Sequence, residues 1–457
     1  MRTFRTLLGV TLAGACALAA VPGTAVAAPA PLQAAAAVDD VTGTYYPLSP
    51  ARLMDTRTGL GAPKAKIGAQ SKVDLQVAGR GGVPGSGVGS VVLNVTVTGP
   101  TSGGFLTAYP AGEARPNASS INFSAGWLGS NNVTVKLGAG GKVSIYNHLG
   151  TTDVVVDVVG FYAGDNTLAN RNGGQYQAWL PQRMSDTRDD GLGKPPAGTI
   201  IDYAFDLGTD NPHTRALVLN ITAVAPDRGG FLTAWSGVGA MPTSSTVNYG
   251  AGKNVPNLAF VQTTPCTGTE QGGWCDPGTL KFSVYTSQAA HVVVDLVGSI
   301  DDATLPNGMR FKPLSPTRIA DSRTGQGLPT ALGPQGVGRI IAPSNLVTAD
   351  TGVLALNVTA VSPTSGTVIT VWPSGPKPGA SNLNPAAKQT VAGAVLAPID
   401  GDYGFNVHNL LGTTHLLADV VGTFYFPAPA AATAGLSAKA AASRPSAVGS
   451  SSWSVTR

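Results

Sequence analysis

The chain has 457 residues, a formal charge of +4, 43% hydrophobic residues and only 12% charged ones, about half the usual charged share. This length allows two to four domains with buried cores, and the weak, unclustered charge excludes the basic surface that nucleic-acid binding requires. With 59 glycines and 34 prolines the chain is turn-rich but short of a collagen-like or disordered composition, so short strands joined by many tight turns are expected.

Residues 1–27 read as a secretory signal peptide. Arg2 and Arg5 supply the positive end, Leu7 to Val21 an apolar run too short to span a bilayer comfortably, and Ala25-Val26-Ala27 a small-residue cleavage site. Loss of Arg2 and Arg5 lowers the formal charge from +4 to +2. Cys16, inside the apolar run, leaves a lipoprotein anchor as the lesser alternative. No other segment reaches the eighteen or so apolar residues of a membrane helix. A secreted or extracellular chain, free or held at the cell surface, is therefore expected. Residues 28–44 read as an unstructured approach.

Three copies of one pattern follow, at 45–163, 178–300 and 310–426. Each opens on a charged motif: Pro50-Ala-Arg52-Leu-Met-Asp55-Thr-Arg57, Pro181-Gln-Arg183-Met-Ser-Asp186-Thr-Arg188 and Pro316-Thr-Arg318-Ile-Ala-Asp321-Ser-Arg323. Next come Leu93-Asn94-Val-Thr96, Leu219-Asn220-Ile-Thr222 and Leu356-Asn357-Val-Thr359, and then a piece ending on Tyr109, Trp235 or Trp372. Ser119-Ser-Ile-Asn122, Ser245-Thr-Val-Asn248 and Ser381-Asn-Leu-Asn384 follow. Each copy closes on an apolar run around Asp157, Asp295 or Asp419. The pieces are short, β-branched and bounded by Gly, Pro and Asn, and no window sustains a helical period. The expected fold is all-β: three tandem β-sandwich (or small barrel) domains of roughly 115–125 residues, since a period near 130 is a domain and not a solenoid repeat. Residues 164–177 and 301–309 read as linkers, and 427–457 as a disordered Ala/Ser-rich tail.

Copy 2 carries an insert that contains Cys266 and Cys275, the two cysteines left after signal removal. In an exported chain they are expected to form one disulfide pinning a surface loop. No metal ligands recur with them, and no metal or cofactor is expected.

In the closing strand Val155, Asp157 and Val159 share one face and Val154, Val156 and Val158 the other. Both faces are apolar, so Asp157, Asp295 and Asp419 should lie near a core and need partners. Arg52 or Arg57 is expected to meet Asp157, with Arg183 or Arg188 serving Asp295 and Arg318 or Arg323 serving Asp419. The favoured reading is a structural clasp with Asp55, Asp186 and Asp321; the alternative makes Asp55 and Asp157 paired carboxylates of a hydrolase. Asn94, Asn220 and Asn357 match glycosylation sequons but sit mid-strand, so they read as a polar line that satisfies backbone or edges a groove. Tyr109, Trp235 and Trp372 are either core aromatics or platforms for sugar rings; Trp127 and Trp274 lie in loops. No Gly-x-Ser-x-Gly elbow, His-Glu-x-x-His, phosphate loop or Cys-x-x-Cys occurs, and no histidine recurs in all three copies.

The string Pro-Leu-x-Pro-x-Arg-x-x-Asp-Thr-Arg, Leu-Asn-Val-Thr, Gly-Phe-Leu-Thr-x-Tyr-Pro, Ser-x-x-Asn, Val-Val-Asp-Val-x-Gly-Phe-Tyr resembles a repeat of exported proteins of actinobacteria and some other soil bacteria. The resemblance implies a surface or secreted module, in places attached to cell-wall amidases, with no established activity, so no functional residue transfers. Copy 2 departs most, with Ser299-Ile300 in place of Phe-Tyr. The expected function is non-catalytic, multivalent binding of cell-envelope or environmental polysaccharide, three weak sites gaining avidity through linkage. A structural or adhesive surface protein without a small ligand is the alternative, and a hydrolase the second alternative.

Overall fold

The computed structural model describes residues 39–270, 272–427 and 447–455. The expected signal peptide, residues 28–38 and residues 428–446 lie outside that range. No described helix is long and apolar enough to cross a membrane.

Copy 1 contains β1 (Tyr45–Asp55), β2 (Ser71–Gln76), β3 (Val88–Thr98), β4 (Gly104–Pro110), β5 (Ile121–Phe123), β6 (Leu128–Lys136), β7 (Lys142–Asn147) and β8 (Asp153–Ala163). Copy 2 contains β9 (Tyr176–Asp186), β10 (Thr199–Asp206), β11 (Ala216–Val224), β12 (Gly230–Trp235), β13 (Val247–Tyr249), β14 (Val255–Gln262), β15 (Thr264–Pro265), β16 (Leu280–Thr286) and β17 (His291–Ile300). Copy 3 contains β18 (Arg310–Asp321), β19 (Gly336–Ile341), β20 (Thr351–Val361), β21 (Ile369–Trp372), β22 (Val391–Pro398), β23 (Gly404–Asn409) and β24 (His415–Tyr425), and β25 (Val448–Val455) ends the described chain. Every paired strand is antiparallel, and each copy is a sandwich of two sheets. The first sheet has the order β1-β8-β3-β6, repeated as β9-β17-β11-β14 and β18-β24-β20-β22. The second has the order β2-β7-β4-β5, with counterparts β10-β16-β12-β13 and β19-β23-β21.

Alternation explains why the first sheet is buried on both faces. In β3, Leu93, Val95 and Val97 enter the core of copy 1, where they meet Leu75, Leu106 and Ile145 of the second sheet. The intervening Val92, Asn94 and Thr96 face the other copies. A sandwich standing alone would leave that face to water; here the neighbouring copies cover it.

The copies close on one another cyclically. At one end a shared aromatic cluster joins Tyr45 and Tyr162 of copy 1, Tyr176 of copy 2, and Phe311 and Phe424 of copy 3. Ring centroids are 4.3 Å apart for Tyr162–Phe311 and 4.7 Å for Tyr176–Phe424. Around it runs a ring of backbone bonds: Tyr45 exchanges two with Gly174, Tyr176 exchanges two with Met309, and Phe311 N–H donates to the Gly43 carbonyl at 2.8 Å.

This ring revises three expected boundaries. Val41 and Thr44, placed in an unstructured approach, are fully buried, and Gly43 between them accepts the ring's bond from Phe311. The linkers 164–177 and 301–309 contribute Gly174, Tyr176 and Met309 to it, because the chain must pair there for the copies to close. The tail 427–457 contains β25, which lies antiparallel along the outer edge of β10 and satisfies an otherwise open strand edge. Cys266 and Cys275 are bonded, with 5.9 Å between their Cα atoms.

Candidate functional site

The Arg-x-x-Asp-x-Arg motif ends the first strand of each copy, and its side chains form a fixed network. Arg52 lies directly across from Asp157 in the register of β1 and β8 and grips it with two bonds of 2.9 and 3.3 Å. Arg318 grips Asp419 in the same way, at 2.8 and 3.0 Å. Arg183 makes a single bond of 2.5 Å to Asp295, whose second oxygen has no hydrogen-bond partner among the described residues. The second arginine serves the motif's own aspartate: Arg57 pairs with Asp55 at 2.7 Å, Arg188 with Asp186 at 2.5 Å and Arg323 with Asp321 at 2.7 Å. A bulge between Arg52 and Met54 breaks the strict alternation and turns Asp55 back toward Arg52, 3.6 Å away.

Electrostatics separates the two aspartates. Asp157, Asp295 and Asp419 are 0% exposed, and desolvation raises each above the ordinary carboxylate range against the pull of its arginine. Hydrogen bonds from Arg57 and Arg323 lower Asp55 and Asp321. In Asp186 desolvation is the largest single effect and pushes up, but the bonds and charge of Arg188, with Arg183, outweigh it. Asp55 and Asp157 are both buried, with Arg52 between them, so this pair is closed to a bulky substrate.

The recurring asparagines join the copies. Asn94 of copy 1 donates to the Ser245 carbonyl of copy 2 at 2.5 Å, Asn220 of copy 2 to Ser381 of copy 3 at 2.6 Å, and Asn357 of copy 3 to Ser119 of copy 1 at 2.6 Å. Two more amides reinforce the ring: Asn257 donates to Asn94 at 2.9 Å and Asn131 to Asn357 at 3.0 Å. The third equivalent position is Gly393, which has no amide to offer Asn220. These asparagines are therefore neither surface sequons nor a groove open to ligand.

Tyr109, Trp235 and Trp372, offered as platforms for sugar rings, are 5%, 7% and 5% exposed. The reason is local. Two residues earlier on the same strand face, Thr107, Thr233 and Thr370 donate to the carbonyls of Ala118, Ser244 and Ala380, tying the following loop across that face. The same loop delivers Ser119, Ser245 and Ser381 to the neighbouring copy.

Away from the aromatic cluster the copies part around a shared cavity of about 1440 Å³. Its wall comes from equivalent segments: Gly103–Phe105, Gly229 and Gly366–Val368 at the start of the piece that ends on Tyr109, Trp235 or Trp372, and the turns that lead into β6, β14 and β22. Each turn has a residue with left-handed φ whose N–H donates to a proline carbonyl: Gly126 to Pro100, Gly252 to Pro226 and Lys388 to Pro363. The next residue is Trp127, Lys253 or Gln389. Lys253 and Lys388 are exposed and have no ion-pair partner among the described residues. Arg183 and Arg188 also line the cavity, and no carboxylate does. Also on the lining, the Thr222 hydroxyl and the Asn384 side-chain amide oxygen Oδ1 are buried without a hydrogen-bond partner among the described residues.

Sequence reasoning singled out Trp127 but missed Lys253 and Lys388. The available signal was the aligned column Gly126, Gly252 and Lys388, where a lysine replaces glycine in a tight turn.

No family model and no curated protein matches the chain. A solved structure described as the triple jelly roll fold and turret assembly of an archaeal virus is similar at 9% identity, over 83% of this chain and 96% of that one, with a TM-score of 0.15. That score carries no argument about function, and the fold stands on the strands and registers themselves.

Proposed function

We propose that the protein is a secreted, non-catalytic binding protein for acidic polysaccharide of the cell envelope or the surroundings, and that its three repeats build one site together. The shared cavity carries this reading. At about 1440 Å³ it exceeds the roughly 300–1,000 Å³ of sites for single small molecules, so it suits several units of an extended chain. Its polar edge is cationic through Lys253 and Lys388, its lining has no carboxylate, and the half-buried Trp127 adds an aromatic surface to the same lining. The closure of Asp55 and Asp157 by arginine supports a non-catalytic role. A site assembled once replaces the expected avidity of three.

The test is retention of the mature chain on purified cell wall and on insoluble acidic and neutral glycans. Retention on acidic glycans is expected at low salt, with release as salt screens the lysines. The double variant Lys253→Ala, Lys388→Gly should lose it. Absence of retention on every glycan at low salt sinks the proposal.

A structural or adhesive role without a small ligand is the second reading, and the burial of Tyr109, Trp235 and Trp372 favours it. It predicts self-association or partner binding that is indifferent to Lys253 and Lys388.

A further inference from the structure

The seams between copies follow one plan, which is complete between copies 1 and 2. There Asn94 donates to the Ser245 carbonyl, Asn257 donates to Asn94, and Asn248 donates to the hydroxyls of Thr96 and Ser245 at 3.2 and 2.7 Å. Ser130 donates to the Thr246 carbonyl at 3.3 Å and Arg52 to the Thr243 carbonyl at 3.2 Å. Between copies 2 and 3 the bond from Asn220 to Ser381 remains, and the others are missing among the described residues. Thr222 and Asn384 stand for Thr96 and Asn248, yet neither the Thr222 hydroxyl nor Asn384 Oδ1 has a partner. Gly393 stands for Asn257 and Pro256 for Ser130, so an amide and a hydroxyl are absent from the sequence itself. Pro385 stands for Tyr249 and offers no N–H to a ladder, and copy 3 has only the bridge Ile369↔Leu383 where copy 2 has β13. Asn384 therefore lacks the strand that holds Asn248 in register.

The cavity enters at this seam. Of the equivalent Thr96, Thr222 and Thr359, Thr222 alone lines it, and of the motif arginines only Arg183 and Arg188 do. Ser381 and Asn384 line it from copy 3. The Arg183 side chain is 37% exposed, against 23% for Arg52 and 14% for Arg318, and its Nη2 has no hydrogen-bond partner among the described residues. Both arginines are already paired with Asp186 or Asp295, so this corner holds little net charge to attract an anion. It offers instead an N–H of Arg183, the amide oxygen of Asn384, and the hydroxyls of Thr222 and Ser381, which both donate and accept. Lys388, on the cationic edge, follows Asn384 by four residues.

We propose that the open seam between copies 2 and 3 is a hydroxyl-reading subsite of the cavity, which seats one sugar unit with two free adjacent hydroxyls while the polymer's acidic groups lie on Lys253 and Lys388. This rests on the polysaccharide reading and adds what the site selects. Adjacent ring hydroxyls can donate to Asn384 Oδ1, exchange a bond with Thr222 and accept from Arg183. A sulfate ester or an O-alkylated sugar has no hydrogen to donate and would leave Asn384 Oδ1 buried and unpaired, which a polar site penalises more than it rewards the match. The lysines thus set the strength of binding, and the seam sets which sugar is bound.

Retention of the chain on an insoluble polyuronate with free adjacent hydroxyls, and on a neutral glucan, tests it. Periodate cleaves the bond between carbons that bear adjacent hydroxyls and spares carboxylates, so binding to the oxidised polyuronate should be about tenfold weaker. The double variant Thr222→Val, Asn384→Leu should show the same loss on the untreated polymer and no further loss on the oxidised one. Neither side chain is bonded in the folded chain, so its denaturation midpoint should match wild type. Thr359→Val removes a hydroxyl that is equally unpartnered but off the cavity, and should bind as wild type does. Retention that responds to Lys253→Ala, Lys388→Gly but ignores both periodate and the seam variant overturns the subsite and leaves the polysaccharide reading standing. Retention on the glucan alone, lost in the seam variant, keeps the subsite and overturns the acidic ligand. No retention on either polymer overturns both.

Discussion

The two ends of this three-copy assembly use the same strands for opposite purposes. Near the aromatic cluster the rows that face the neighbouring copies carry Tyr45, Val92, Tyr176, Val218, Phe311 and Phe424, and the copies exclude water from one another. Further along β3, β11 and β20 the rows become Asn94, Asn220 and Asn357, then Thr96, Thr222 and Thr359, until the copies separate around the cavity. One strand thus passes from apolar packing through directed bonds to an open site. Cohesion sits at one end and freedom to bind at the other.

The largest test of that contrast is a pair of truncations. Phe424→Ala removes a fully buried ring that packs against Tyr162, Tyr176 and Phe311, and should cost about 3–5 kcal/mol. Lys253→Ala at the cavity edge should stay within about 0.5 kcal/mol. Chemical denaturation of both variants measures the difference, and equal costs would contradict the division of labour.

The next effect is a pH dependence at the cohesive end. Asp301, beside the backbone ring, accepts the N–H groups of Gln175 and Ala303 and the Gln177 amide, yet burial pushes it up to about 6 from 3.8. Between those values the folded chain holds a proton that the unfolded chain has released, so the unfolded state binds fewer protons and stability falls as pH rises. The contribution is complete below about 3.8 and lost by about 6. Asp301→Asn should remove this slope, worth about 2–3 kcal/mol. Denaturation midpoints of wild type and variant at steps from pH 4 to pH 7 measure it; parallel curves for the two would refute the assignment.

The ring of asparagines allows a finer comparison, because its three members differ. Asn94 and Asn357 each donate to a neighbouring carbonyl and accept an amide from another copy, whereas the position equivalent to those amide donors in copy 3 is Gly393, so Asn220 has no such amide to accept. Replacement by alanine should cost about 1–3 kcal/mol at Asn94 and Asn357, and less at Asn220. Equal losses at all three would mean that the second amide contributes nothing.

Much of this was legible in the sequence. The repeat period, the all-β pattern and the charged residues of the clasp follow from spacing and alternation. The choice between Arg52 and Arg57 was not, because a bulge shifts the alternation by one residue and leaves no mark in the pattern. Nor were the asparagine partners, which lie in another copy. One physical clue pointed to them. A closing strand apolar on both faces, repeated three times, cannot belong to three solitary sandwiches, each of which would keep one face of its sheet polar. The cavity was hidden for a related reason: its wall is shared, so no single copy contains enough of it to form a motif.

The smallest expected effect is the most informative about binding. Gly126 and Gly252 hold their turns at φ near 69° and 66°, which glycine adopts without strain. Lys388 holds the same turn at 63°, where a side chain costs about 1 kcal/mol. Lys388 makes no ion pair among the described residues, so no described salt bridge offsets that strain. Lys388→Gly should therefore stabilise the protein by up to about 1 kcal/mol, less the backbone entropy that glycine adds to the unfolded chain. The same substitution should weaken retention on acidic glycan and flatten its salt dependence, while Lys388→Asn, an uncharged residue that tolerates left-handed φ, should also lose retention. Stability rising as binding falls is the signature of strain kept for a ligand. If Lys388→Gly gains stability and keeps full retention, the cavity's cationic edge is not the site.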